Sequence, residues 1–198
     1  MIAEAAIVYM TKRLAVRSHV CSQYDGRLAL RRSTMAEAEL SRQIISLYQR
    51  MLEAWNRRDA DGFVALFTHN CSIVGFDGSQ MNGRTQAASE LRAIFSSHPT
   101  ASYVAKVREV RQLDTHVVLL RAMVGMVPPG QHELNPAVNA VQSVVAVLDR
   151  GEPGIAMLHN TPAAFHGRPQ LAEQLTQELA AILRAGEIVD AGEYAAAR

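Results

Sequence analysis

The sequence has few cysteines, little net charge and none of the common cofactor-binding motifs. Among its 198 residues there are two cysteines, Cys21 and Cys71, and neither belongs to a Cys-x-x-Cys or a Cys/His spacing. This pattern argues against a disulfide framework and against a zinc site, and it favours reduced thiols in a cytoplasmic protein. No apolar run approaches the length of a membrane span, so we expect no membrane partner.

An excess of charge of one sign is also lacking. The net charge is +1, whereas a nucleic-acid-binding protein usually shows a basic patch, so we expect no nucleic-acid partner. The first 34 residues are an exception, because they carry six Lys and Arg against two acidic residues. We interpret residues 1–34 as a poorly ordered N-terminal extension, with an Arg-rich transit-like peptide as the alternative.

The common cofactor and nucleophile motifs are missing too. The chain contains no Gly-x-Gly-x-x-Gly, no P-loop, no Gly-x-Ser-x-Gly and no His-Glu-x-x-His. Without a dinucleotide fingerprint, oxidation that depends on a nicotinamide gains no support from the residues. We expect neither a cofactor nor a bound metal.

The chain does contain clear helix and strand patterns. A capping box at residues 34–37 opens a helix whose apolar residues recur at three- and four-residue steps as far as Trp55. Asp59 can cap a short second helix. Further helix patterns cover residues 84–97 and 170–185. Strand patterns cover residues 71–76, 103–113, 117–127, 138–148 and 154–161.

This order indicates an α+β fold. Helices on one face of a curved antiparallel sheet form a cone whose open end can hold a ligand. We predict one such domain over residues 35–186, closed by a C-terminal helix and followed by a frayed tail over residues 187–198. Residues 117–127 and 138–148 are almost continuously apolar, so we expect central strands covered on both faces.

Residues 72–84 combine a strand pattern with two turn signals, Asp77-Gly78 and Asn82-Gly83. Such a stretch suits the lip of a pocket. Asp77 is the best candidate for a general base, because desolvation at the mouth of an apolar cone raises the pKa of a carboxylate. The alternative is that Asp77 is only a turn residue.

Other polar residues interrupt apolar strands. Arg121 must be paired or must contact a polar ligand, and a structural pair with Glu109 or Asp77 is the alternative to a catalytic role. Asn139 and Gln142 are three residues apart, so they face opposite sides of the sheet and only one can line the cavity. We count eight residues as candidates for substrate binding: Gln80, Met81, Asn82, Tyr103, Asn139, His159, Asn160 and His166.

Several segments resemble one known family. The run from Trp55 to Phe63 resembles the opening of the nuclear transport factor 2-like superfamily. Residues 75–84, 120–130 and 160–169 resemble the SgcJ/EcaC family within its SnoaL-like branch, and the last of these, Asn-Thr-Pro-Ala-Ala-Phe-His-Gly-Arg-Pro, is long and specific. The resemblance extends over residues 35–185 and implies a cystatin-like α+β cone.

The resemblance also implies a function. The SgcJ/EcaC family carries the name oxidoreductase, while the residues suit a cyclase, isomerase or dehydratase equally well. We expect an enzyme or accessory enzyme of secondary, polyketide-like metabolism that acts on an apolar, oxygenated small molecule. Asp77 would be the base, with Arg121 or Asn139 at the developing oxyanion. We also expect a homodimer through the sheet. A non-catalytic binding module and a dimeric assembly module are the alternatives.

Overall fold

The computed structural model describes residues 35–195, apart from the side chains of residues 193 and 195. The predicted extension over residues 1–34, which contains Cys21, lies outside the described residues, as do residues 196–198. Contacts divide the chain into one unit that ends at Leu40 and another that begins at Ser41. The fold below is that of the second unit. Of the first, residues 35–40 are described, and they are helical.

In the part of the second unit that the structure describes, four α-helices form where the sequence patterns predict them. They are α1 over residues 41–56, α2 (Ala60–Ala65), α3 (Arg84–Ser97) and α4 (Pro169–Arg184). Helix α3 ends because His98, which precedes a proline, is held in an extended conformation. Helix α4 begins with a proline in its first turn, where the missing N–H is not needed.

A tight turn joins α1 to α2, and the run of residues that resembles the known superfamily maintains it. The carboxylate of Asp59 caps α2 by accepting a hydrogen bond from the backbone N of Gly62 at 2.8 Å. A Cβ on Gly62 would lie 2.2 Å from an oxygen of that carboxylate, so a side chain there would displace the cap. The Phe63 ring then packs edge-on against Trp55, with ring centroids 6.0 Å apart.

Among the described residues, seven strands form a single sheet in the order β2-β1-β6-β5-β4-β3-β7. The strands are β1 (Phe67–Val74), β2 (Gln80–Asn82), β3 (Ser102–Asp114), β4 (Val117–Val127), β5 (Ala140–Asp149), β6 (Glu152–Pro162) and β7 (Val189–Asp190). Strands β3 to β6 form an antiparallel meander.

The predicted α+β cone with its C-terminal helix is confirmed, but the expectation of an antiparallel sheet is wrong in part. Strand β1 lies parallel to β6, and β7 lies parallel to β3. Neither pair is joined by a hairpin, so no tight turn forces an antiparallel arrangement. The frayed tail predicted over residues 187–198 instead contributes β7 and a short 3-10 turn, Gly192–Ala195.

The two faces of the sheet are covered differently. On the inner face, alternate residues of β4, from Val118 to Val124, are buried. On the outer face, helix α4 packs through Leu179 against the β3–β4 end of the sheet, where a Cβ on Gly125 would lie 3.2 Å from the Leu179 side chain. The rest of the outer face of β4 is half-buried or exposed, so the expectation that this strand is covered on both faces holds only at one end.

Candidate functional site

A cavity of about 270 Å³ lies between the inner face of the sheet and helices α1, α2 and α3. Most of its lining is apolar, and these residues include Met51, Leu52, Trp55, Phe63, Ile73, Leu91, Ile94, Met126 and Leu158. The polar lining side chains are Asp77, Ser79, Tyr103, Gln142 and Asn160. An apolar cavity with a few converging polar groups is the usual form of a small-molecule site.

Two buried hydrogen bonds join polar side chains of this region. Tyr48 of α1 donates its hydroxyl to Oε1 of Gln142 at 2.6 Å. Asn160 donates from Nδ2 to the hydroxyl oxygen of Tyr103 at 3.0 Å. Gln142 and Asn160 are direct neighbours on β5 and β6, and their side chains are 2 % and 6 % exposed. The site therefore contains a compact cluster of four polar side chains in apolar surroundings.

This cluster is uncharged at neutral pH. Burial raises the pKa of Tyr103 to about 12, and the hydrogen bond from Asn160 lowers it by less. Burial raises the pKa of Tyr48 as well, well above its ordinary value, with a further contribution from nearby Tyr103. Both phenols are therefore protonated and can act as hydrogen-bond donors.

The end of helix α1 holds Tyr103 in place. The side chain of Asn56 forms two hydrogen bonds with the backbone of Tyr103, accepting from its N at 2.8 Å and donating to its O at 2.9 Å. The indole of Trp55 donates to the backbone O of Ala101 at 2.9 Å and packs edge-on against the Tyr103 ring. Because these contacts fix the backbone at the start of β3, they also fix the direction in which the phenol points.

Asp77 lines the mouth of the cavity, but in a different state from the one predicted. Its Oδ1 accepts hydrogen bonds from the hydroxyl and the backbone N of Ser79, at 2.7 and 3.0 Å, so it closes a turn. Those hydrogen bonds lower the pKa of this exposed carboxyl, the Ser79 hydroxyl most of all. The expectation that desolvation raises its pKa is wrong, because the side chain is exposed to solvent.

The structure brings four of the predicted site residues together at this cavity: Asp77, Met81, Tyr103 and Asn160. Gln80 and Asn82 flank Met81 on β2 with exposed side chains, as strand alternation requires. His159 and His166 are exposed as well, and of the adjacent pair His159 and Asn160 the asparagine faces inward.

Arg121 and Asn139 lie away from the cavity. Arg121 is 52 % exposed and pairs with Glu109 at 2.7 Å, which is one of the structural alternatives considered above. Asn139 is buried and donates from Nδ2 to the hydroxyl of Thr176 on α4 at 2.8 Å. The proposed oxyanion role of these two residues therefore has no geometric basis in the cavity.

Two residues of the polar cluster are not among the predicted site residues. Helical periodicity assigns Tyr48 to the buried face of α1, and nothing in that pattern distinguishes a polar partner from a core residue. Gln142 is recognisable as an alternative to Asn139, but the sequence does not say which of the two faces inward. A tyrosine hydroxyl buried in a core needs a polar partner, and a buried amide on a strand can supply one. That requirement could have paired Tyr48 with Gln142.

Within residues 35–195, no group of three or more His, Cys, Asp or Glu side chains could hold a metal ion. Cys71 is buried and free. None of the helices in the described part of the chain is long and apolar enough to cross a membrane.

The fold and the cavity define an α+β cone of the cystatin-like, nuclear transport factor 2-like class. The SnoaL-like domain model matches residues 48–150, and the chain belongs to that family. It is similar to a domain of unknown function with a cystatin-like fold from Nostoc punctiforme, at 22% identity over 72% of this chain and 94% of that one, with a TM-score of 0.59.

A second similar structure supports the same fold. It is an NTF2-like protein of unknown function from Pseudomonas putida, 13% identical over 65% of this chain and 90% of that one, with a TM-score of 0.52. At these identities the likeness concerns the fold alone. No curated protein matches the chain.

The hydrogen bonds of Asn56 generate the first prediction. Asn56→Ala removes both side-chain bonds to the Tyr103 backbone, and we expect it to lower the free energy of unfolding by about 1–3 kcal/mol. Gln49→Ala is the control, because Gln49 forms one exposed hydrogen bond to Glu53 on the same helix and should cost less than about 0.5 kcal/mol. Urea unfolding measures both, and equal small losses would contradict the positioning role of Asn56.

Proposed function

We propose that the cavity binds a small, largely apolar, oxygenated metabolite. The observation that carries this proposal is the buried polar cluster of Tyr48, Tyr103, Gln142 and Asn160 beside an otherwise apolar cavity. Apolar walls supply affinity through burial, and a few fixed polar groups orient the ligand. The resemblance to the SgcJ/EcaC family supports a metabolite of secondary, polyketide-like metabolism in the cytoplasm.

Binding should depend on the free volume of the cavity. Ile94 is half-buried and lines the cavity from α3, so Ile94→Trp should fill part of it without displacing a fully buried residue. We expect at least tenfold weaker binding of a bicyclic aromatic alcohol such as 2-naphthol, measured by isothermal titration calorimetry. Leu113→Trp is the matched control, because Leu113 is an exposed apolar residue outside the cavity lining. Unchanged affinity in Ile94→Trp would place the binding site elsewhere.

We further propose cofactor-free acid/base chemistry on the bound ligand. Asp77 and Tyr103 line the same cavity, the first as a carboxylate and the second as a protonated phenol. Asp77 would remove a proton from a carbon next to a carbonyl group, and Tyr103 would donate a hydrogen bond to the enolate oxygen that develops. Tyr103 thus takes the role that the sequence suggested for Arg121 or Asn139.

This chemistry can be tested with a bicyclic ketone. For 2-tetralone in heavy water, Asp77→Asn should slow catalysed deuterium exchange beside the carbonyl by roughly 100-fold or more, while binding persists. Asp114→Asn is the control, because Asp114 is also an exposed aspartate, at the end of β3, whose pKa is lowered by a neighbouring hydroxyl, that of Thr115. Binding without catalysed exchange in the wild type would favour the non-catalytic binding module.

Finally, we propose a homodimer that forms through the outer face of the sheet. Leu119, Val145 and Met157 are register neighbours on β4, β5 and β6, and all three are half-buried apolar side chains on the face opposite the cavity. Covering this patch with a second copy would remove apolar area from water. The patch lies on three central strands, as a sheet-mediated contact requires.

Light scattering tests this assembly. The wild type should have twice the mass of the chain, and Val145→Lys should shift it to the mass of a monomer, because a lysine would be desolvated in the contact. Leu113→Lys introduces the same charge on exposed surface away from the patch and should leave the mass unchanged. A monomeric wild type would contradict the proposal.

A further inference from the structure

The polar cluster contains a buried oxygen that has no hydrogen-bond partner among the described residues. Asn160 is 6 % exposed and lines the cavity, yet its Oδ1 has no hydrogen-bond partner within the described residues. The Nδ2 atom of the same amide is occupied by Tyr103. A buried oxygen without a donor is costly, so a donor supplied by a ligand would recover free energy on binding.

Tyr103 offers the opposite capacity at the same place. Its hydroxyl oxygen accepts the hydrogen bond from Asn160, which leaves the hydroxyl hydrogen to be donated elsewhere. Because burial raises the pKa of Tyr103 to about 12, that hydrogen is retained at neutral pH. Within the part of the chain that the structure describes, the hydroxyl hydrogen of Tyr103 and Oδ1 of Asn160 are therefore an unused donor and an unused acceptor on two side chains that are hydrogen-bonded to each other.

The charges around the cavity limit what can bind there. Among the described residues that line it there is no Lys, Arg or His, and Asp77 is its single charged group. That carboxylate is ionised, since its hydrogen bonds from Ser79 lower its pKa. An anionic ligand would meet a negative charge at the mouth and no cation within, so the cavity is suited to a neutral ligand.

We propose that the ligand is neutral and that its anchoring group is a hydroxyl, which donates to Oδ1 of Asn160 and accepts from the hydroxyl of Tyr103. This inference rests on the proposed binding function and names the chemical group that the cavity selects. A phenol, an alicyclic alcohol or the enol of a ketone carries both capacities in one group.

Other oxygen groups use only part of this anchor. An ether or a ketone can accept from Tyr103 but has no hydrogen to donate, so Oδ1 of Asn160 stays unpaired. Sites built to bond a hydroxyl discriminate strongly against an analogue that lacks one, because the buried partner is left unsatisfied. A carboxylate lacks the donor and adds a charge.

Three probes of similar ring size separate these cases. We expect 2-naphthol to bind about fivefold or more tightly than 2-methoxynaphthalene, which corresponds to one unsatisfied buried group, and 2-naphthoate to bind most weakly. Calorimetry on the full chain measures all three. Equal affinity for the alcohol and the ether would overturn the hydroxyl anchor while leaving the proposed binding function intact. Failure of all three to bind would instead count against the binding function itself.

A variant pair assigns the preference to one atom. Asn160→Leu replaces the acceptor with an apolar side chain, so the ratio of the alcohol affinity to the ether affinity should fall towards one. Asn139→Leu is the matched control, because Asn139 is also a buried asparagine with an unpartnered Oδ1 among the described residues, but it does not line the cavity. The ratio of the alcohol affinity to the ether affinity in Asn139→Leu should match that of the wild type.

Thermal unfolding establishes that both variants are folded before binding is compared. If folded Asn160→Leu still prefers the alcohol to the ether as the wild type does, the assignment of that preference to Oδ1 of Asn160 is overturned. If Asn160→Leu does not fold, the wild-type comparison of alcohol and ether still decides whether the site selects a hydroxyl.

Discussion

The amide of Asn56 is the contact on which the geometry of the site depends. It satisfies both backbone polar groups of Tyr103 and so ties the end of α1 to the start of β3, as a neighbouring strand would do. Trp55 adds a hydrogen bond to Ala101 and an aromatic contact with Tyr103. Two adjacent residues at a helix end thus fix the phenol relative to the sheet, and the remaining polar cluster is built around that phenol.

Under the proposed binding function, that cluster lowers the stability of the protein without ligand and raises its affinity for one. An apolar side chain in place of Asn160 would remove the unpaired Oδ1 but would also take away the hydrogen bond that the Tyr103 hydroxyl accepts. The unpaired oxygen of the amide costs the folded protein roughly 1–3 kcal/mol in the absence of a donor. A ligand that supplies the donor removes this cost, so the same atom that weakens the empty fold favours the occupied one. The rigid contacts of Tyr103 keep the donor and acceptor in register, so little ordering is needed on binding.

The sequence is enough to predict the helices, the long strands and the α+β class, because these follow from periodicity and turn chemistry. It also singles out Tyr103 and Asn160 as polar residues that could face a ligand. It cannot choose between Asn139 and Gln142, since strand alternation gives their relation but not which face is inward. Nor can it show that Arg121 pairs with Glu109, or that Ser79 holds Asp77 in an exposed turn, because those contacts depend on register and on local backbone conformation.

The contrast between Asp77 and Tyr103 limits the chemistry that the cavity can perform. A carboxylate with a lowered pKa is a poor base, so it cannot supply most of a rate enhancement for proton abstraction. In the proposed chemistry, the larger contribution would come from stabilising the oxygen on which charge develops. Of the two tautomers of a ketone ligand, the enol fits the proposed hydroxyl anchor better, because the enol can donate as well as accept. In the proposed chemistry the enolate would accept from Tyr103 alone, and Oδ1 of Asn160 would gain its donor only once the enolate oxygen had been protonated to the enol.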